Sequence, residues 1–260
     1  MKRRYSCQSA IGLTDRQEPP EMHRVQPFPT TGTLVRNLNL PFSSLAARTR
    51  NAEARSYSYV VRSVRLNQEA NTFEQHGSAP NFQGKVLTLC TCKHQMRASQ
   101  TADSWKGVWI AGFTSRMICD GKHWLFYLAQ IESAYESHSD LWCSLSKDTR
   151  NSKAAHENYL GDVFKPKTPK PKEESRFLPN RYVAPVIHAH RQTRSDRGWR
   201  NDISYNHAKK FGHPSLLIAN PRMTFLWEEP MIFLAQKHCR NYLKWDALPD
   251  LIQLLRGAGL

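Results

Sequence analysis

Residues 108–131 read VWIAGFTSRMICDGKHWLFYLAQI, two apolar runs, Val108–Phe113 and Trp124–Ile131, on either side of Asp120-Gly121. An Asp-Gly pair tolerates the left-handed backbone that a tight hairpin requires, so the stretch predicts two antiparallel strands. Working outward, Tyr57-Ser58-Tyr59-Val60-Val61-Arg62-Ser63-Val64-Arg65 is rich in aromatic and β-branched residues and reads as the strand that opens an ordered domain. Lys85–Cys90 and Ser215–Ala219 read as further strands, with Phe225-Leu226-Trp227 as core. Good helix formers from Cys92 to about Gln100 predict a helix with Thr91 as its N-cap. A second helix is expected over about 133–146, and near-helical spacing of leucines over 243–255 predicts a terminal one. The order of elements implies an α+β fold with a small mixed sheet or barrel and flanking helices.

The chain has 260 residues, and its lysines and arginines (37) outnumber its aspartates and glutamates (22) by 15. That excess is concentrated. Residues 1–55 carry nine basic and four acidic side chains and residues 165–210 carry twelve and four, whereas 56–164 and 211–260 are nearly balanced. Basic additions to a neutral core point to a polyanionic partner, and nucleic acid, DNA in preference to RNA, or a nucleotide is the first candidate. Residues 1–55 contain five prolines without a sustained pattern and are expected to be a basic, mostly disordered leader, with 56–260 as a single α+β domain. Within it KPKTPKPKEES, residues 165–175, is expected as an exposed loop, because alternating proline suits neither helix nor central strand. No run approaches the roughly 18 apolar residues of a membrane span. No adequate apolar stretch follows the basic start and six cysteines are too sparse for a disulfide scaffold, so a cytoplasmic protein without a membrane partner is expected. The oligomeric state is left open.

Cys90-Thr91-Cys92-Lys93-His94 raises the question of a metal. Zinc needs four ligands, usually as two separated pairs, and no second pair completes this one, so neither a metal nor a cofactor is expected. Cys92 beside Lys93 at a helix start is a candidate reactive thiol, against burial as a small hydrophobe. Thr91, Lys93 and Arg97 at the same helix start would form a phosphate cradle. A second dense segment, 188–205, offers Arg191, Arg194, Arg197 and Arg200 for phosphates and Trp199 and Tyr205 for base stacking. His188, His190 and Asp202 in it are candidates for acid/base chemistry.

Tyr57-Ser58-Tyr59-Val60-Val61-Arg62, followed by Thr88-Leu89-Cys90-Thr91-Cys92-Lys93 and Arg97, then Trp109-Ile110-Ala111-Gly112, Leu125-Phe126-Tyr127-Leu128-Ala129 and Gly161-Asp162, resembles the nucleotide modification associated domain of the second type. Gly107-Val108 stands before Trp109 where that family has Gly-Asp. The resemblance implies a protein that recognises a modified nucleobase or nucleotide and is linked to DNA base modification in phage or bacterial conflict. The order of elements also looks like PUA, ASCH and EVE barrels. The alternative function is an enzyme acting on a nucleobase or its glycosidic bond.

Overall fold

The computed structural model describes residues 25–117, 119–154, 161–168, 172–185, 198–205, 212–238 and 241–258. Its fold is mixed α+β, built on a curled sheet. The hairpin at its centre forms as expected. β5 (Trp109–Thr114) and β6 (His123–Tyr135) are antiparallel, with Trp109 opposite Gln130 and Phe113 opposite Leu125. Asp120 and Gly121 both take positive φ, 48° and 65°, the left-handed backbone that the turn demands.

β1 (Ser56–Val61) lies parallel to β5, Ser56 opposite Trp109 and Val61 opposite Thr114. The strand expected through Arg65 instead breaks after Val61, and β2 (Val64–Asn67) turns back on β3 (Thr72–Gln75) as a separate hairpin. β4 (Thr88–Leu89) pairs with the long β7 (Leu216–Leu226), which continues onto β6 and absorbs Phe225-Leu226. β8 (Ile232–Leu234) extends β6, β9 (Leu243–Trp245) edges β1, and β10 (Leu255–Gly257) edges β8.

Alternation along β1 divides the interior between the two faces of the sheet. Tyr57, Tyr59 and Val61 enter one apolar cluster with Ile110, Phe126 and Tyr127. On the other face Ser58 accepts from Trp245 Nε1 at 2.9 Å and meets His238 Nε2 at 3.1 Å, while Trp109, Phe113, Phe225 and Trp227 form a second cluster. That second face is closed by α1 (Phe42–Thr49) and α6 (Leu248–Ile252) through Leu45, Leu248 and Leu251. Residues 25–55 are therefore corrected from leader to part of the core: Leu34 and Leu45 are buried, and Gln26 pairs with Gln75. Residues 1–24 lie outside the described residues.

The helices differ from expectation where tertiary pairing overrides local preference. Residues 133–135 extend β6, and α3 (His138–Ser144) and α4 (Lys147–Lys153) follow, capped by Ser137 and Ser146. The terminal leucines are split among β9, α6 and β10 because the sheet edges recruit both flanks. α2 (His94–Arg97) is a single short turn, and α5 (Gly198–Ser204) packs Trp199 and Ile203 against Phe164 and Tyr182. In the Lys/Pro loop Lys165, Lys167, Lys172 and Glu173 are exposed, and Pro166 bridges to Tyr182. Among the described residues no helix is long and apolar enough to cross a membrane.

Candidate functional site

Two of the sequence stretches that carry the family resemblance meet at one cavity of about 300 Å³, near the lower end of the roughly 300–1,000 Å³ common for small-molecule sites. One wall is the exit of β1, from Tyr59 to Ser63; a second is Gly77-Ser78-Ala79 after β3; the third is Thr91–His94, between β4 and α2. The chain places them together because β1 ends beside β5, while the segment between those strands folds back twice before rejoining the sheet.

The floor is rigid. Tyr127 Oη donates to Tyr59 Oη at 2.8 Å, and burial, more than their mutual repulsion, lifts the Tyr59 phenol well above its ordinary range. Gly112 lets the Tyr127 ring lie flat over β5, since a Cβ there would overlap that ring and press on Val61. The buried Ser78 and Thr91 hydroxyls bond each other at 3.3 Å and join two of the walls, and Cys92 Sγ points to the Ala79 carbonyl at 3.9 Å.

Lys93 sits at the rim in left-handed backbone, φ 57° and ψ 42°. A non-glycine residue held there costs about 1–2 kcal/mol, so its surroundings must impose it. Its ammonium lies 5.1 Å from the centre of the Tyr59 ring and donates to the Asn241 carbonyl at 3.3 Å. Burial lowers its pKa, and the neighbouring Arg62 lowers it further. Arg62 and Lys93 are the cations of the lining, and among the described residues that line it there is no carboxylate. The whole arrangement favours an anion.

Thr91 is buried and does not cap a helix; Lys93 occupies that position, and four residues are too short a helix to present an anion-binding terminus. The phosphate cradle at a helix start is thus replaced by a cavity rim. Arg97 is corrected as well. It is buried, and it donates to the carbonyls of Cys92 (2.7 Å), Pro214 (3.1 Å) and Ser215 (2.6 Å), tying α2 to β7. Cys92 is pushed up to about 11 by burial, which outweighs the downward pull of Lys93 and Arg97. It is no activated thiol.

In the basic segment, Trp199 is buried against Phe164, with ring centres 5.9 Å apart, so its face is not an open stacking platform. Arg200 is exposed with its guanidinium over the Trp199 ring. Asp202 meets His94 Nε2 at 2.8 Å, and Tyr205 stacks on the His94 ring at 3.8 Å. α5 is thereby docked on the residue that closes one cavity wall. His188, His190, Arg191, Arg194 and Arg197 lie outside the described residues. Tyr59, Arg62 and Ser78 were missed as site residues. The first two stand inside the opening strand motif, where they read as strand formers; Ser78 lies in a polar insertion with no distinguishing pattern.

Behind the site Asp162 is buried and accepts from Thr88 Oγ1 (2.8 Å) and the Cys90 amide (3.1 Å). Lys153, also buried, donates to Asn81 at its carbonyl (2.8 Å) and side-chain oxygen (3.1 Å), and burial lowers it to about 8. These groups brace β4 and the loop opposite it. Among the described residues no group of three or more His, Cys, Asp or Glu is placed to hold a metal ion. No family model, curated protein or solved structure matches the chain.

Proposed function

We propose that the protein is nucleic-acid-associated and holds a modified nucleobase or nucleotide in the Tyr59–Lys93 cavity, in a process linked to DNA base modification. The observation that carries this reading is a small cavity backed by a buried tyrosine, with the hydroxyl residues Ser63, Ser78 and Thr91, two cations and no carboxylate among its described lining. In it Arg62 and Lys93 take the phosphate, and the base lies against the wall that Tyr59 backs. The test is calorimetric titration of the full chain with a panel of modified and unmodified deoxynucleoside monophosphates and oligonucleotides. One modified member should bind above the rest, and Arg62→Ala or Lys93→Ala should weaken it by about tenfold, as the loss of one charge-assisted contact implies. Equal, weak affinity across the panel, unchanged in both variants, would dismiss the reading.

The His94–Asp202 contact at the cavity wall favours a second reading, an enzyme acting on the base or its glycosidic bond with His94 in the acid/base role expected of His188 and His190. Incubation with the same modified DNA followed by nucleoside mass spectrometry separates the two. An altered nucleoside that disappears in His94→Ala identifies the enzyme; unaltered nucleosides leave the binder.

A further inference from the structure

Burial lowers the pKa of both Lys93 and Lys153, but their amines reach different places. Lys153 is enclosed behind the site, where it donates twice to Asn81, and it is not part of the cavity lining. Lys93 lines the cavity and is only half-buried. Its amine lies 5.1 Å from the centre of the Tyr59 ring and spends one hydrogen bond, of 3.3 Å, on the Asn241 carbonyl. Among the described residues Lys93 forms no ion pair, and the lining holds no carboxylate to fix it as a cation.

That setting suits a nucleophile. Burial first, and Arg62 after it, favour the uncharged amine; the opposing pull of Cys92 requires a thiolate, which burial withholds until about 11. A lysine desolvated in a pocket beside a second cation is the arrangement in which an amine attacks carbonyl carbon near neutral pH. The left-handed backbone at Lys93 is imposed by its surroundings, which fixes the point at which the side chain leaves the main chain. Arg62, always charged, keeps hold of an anionic group while Lys93 reacts. The protonated imine that such an attack produces is again a cation, and the Tyr59 ring favours it as it favours the ammonium.

We infer that the nucleotide held in the cavity carries an aldehyde and that Lys93 captures it as an imine. This rests on the nucleotide reading of the cavity. The lone pair of Lys93 Nζ attacks the aldehyde carbon, the carbonyl pair moves to oxygen, and one amine proton passes to that oxygen to give a carbinolamine. Loss of the hydroxyl together with the second amine proton, as one water, then leaves the C=N bond. No oxidant, reductant or second substrate enters.

The test incubates the full chain with formyldeoxyuridine monophosphate, which carries its aldehyde on the base, and in parallel with the hydroxymethyl and unmodified monophosphates. Borohydride then reduces any imine to a stable secondary amine for intact mass measurement and peptide mapping. One adduct is expected, from the formyl nucleotide alone, on the peptide that contains Lys93, with buried Lys153 and exposed Lys106 and Lys147 unlabelled. The map of the parent chain locates the adduct without any variant; Lys93→Arg should lose it, and Arg62→Ala should need more nucleotide to reach the same yield. The rate of adduct formation should level off at a lower pH than it does for a blocked free lysine. Labelling spread over Lys106 and Lys147, a yield unchanged in Lys93→Arg, or a pH profile matching that of the free lysine overturns the inference. Calorimetric binding of the formyl nucleotide with no adduct also overturns it and leaves the nucleotide reading standing, whereas neither binding nor adduct overturns both.

Discussion

Cys92 stands beside Lys93 and close to Arg97, the surroundings that ordinarily activate a thiol, yet burial prevails and holds it up to about 11. The neighbouring cations are themselves occupied, Arg97 by three carbonyls and Lys93 by Tyr59 and Asn241. Alkylation by iodoacetamide, followed by peptide mapping, should therefore label exposed Cys143 at pH 8 and leave Cys92 largely unmodified until the pH approaches 11. Matching rates at pH 8 would show the thiol to be activated after all. The same shift has a stability consequence of definite sign. Between about 9 and about 11 the unfolded thiol gives up its proton while the folded one keeps it, so this group's contribution to stability is present below pH 9 and is lost across that interval.

At the scale of elements, the packing of β5 on β6 carries the cavity floor. Gly112 is the place where this can be broken with one atom. Gly112→Ala forces the Tyr127 ring off β5, and with it the hydroxyl that holds Tyr59; overpacking of this kind costs about 1–3 kcal/mol. The variant should show a lower urea midpoint and weaker binding of the cavity ligand, whereas Gly107→Ala, at φ 81° in open space, should cost stability through backbone strain alone and leave binding intact. The central strands were legible because short apolar runs and Asp120-Gly121 are local signals. α2 and the terminal elements were not. The propensities of Lys93, Gln95, Met96 and Arg97 say helix, but Arg97 is recruited inward by the carbonyls of β7's approach, and Leu243 and Leu255 are claimed by sheet edges remote in sequence. Of the site, Thr91 and Lys93 could be read from their motif; that Tyr59 and Ser78 share a cavity with them depends on how the chain folds back between β1 and β5.

For the whole molecule, the excess of 15 positive charges acts over a longer range than the cavity does. Affinity for a duplex should fall steeply as salt rises from about 50 to about 200 mM, with a log–log slope set by the number of phosphates neutralised. Arg116→Gln should reduce the magnitude of that slope by about one if its guanidinium meets a phosphate, without altering selectivity among bases. A slope near zero in the parent protein would remove nucleic acid as the partner and leave a free nucleotide.

The parallel pairing of β1 with β5 has one more consequence, in the order of assembly. Apart from the end of β1, all the cavity walls belong to residues 62–108, the connection between those two adjacent strands. Closing that connection is an entropic cost met before the walls can face each other, whereas the β5–β6 hairpin can form from its own neighbours. The receptor is thus completed late on the folding path and opened early on the way out. Its occupant would act chiefly as a brake on unfolding, and the protein's lifetime would be tied to the supply of what it binds.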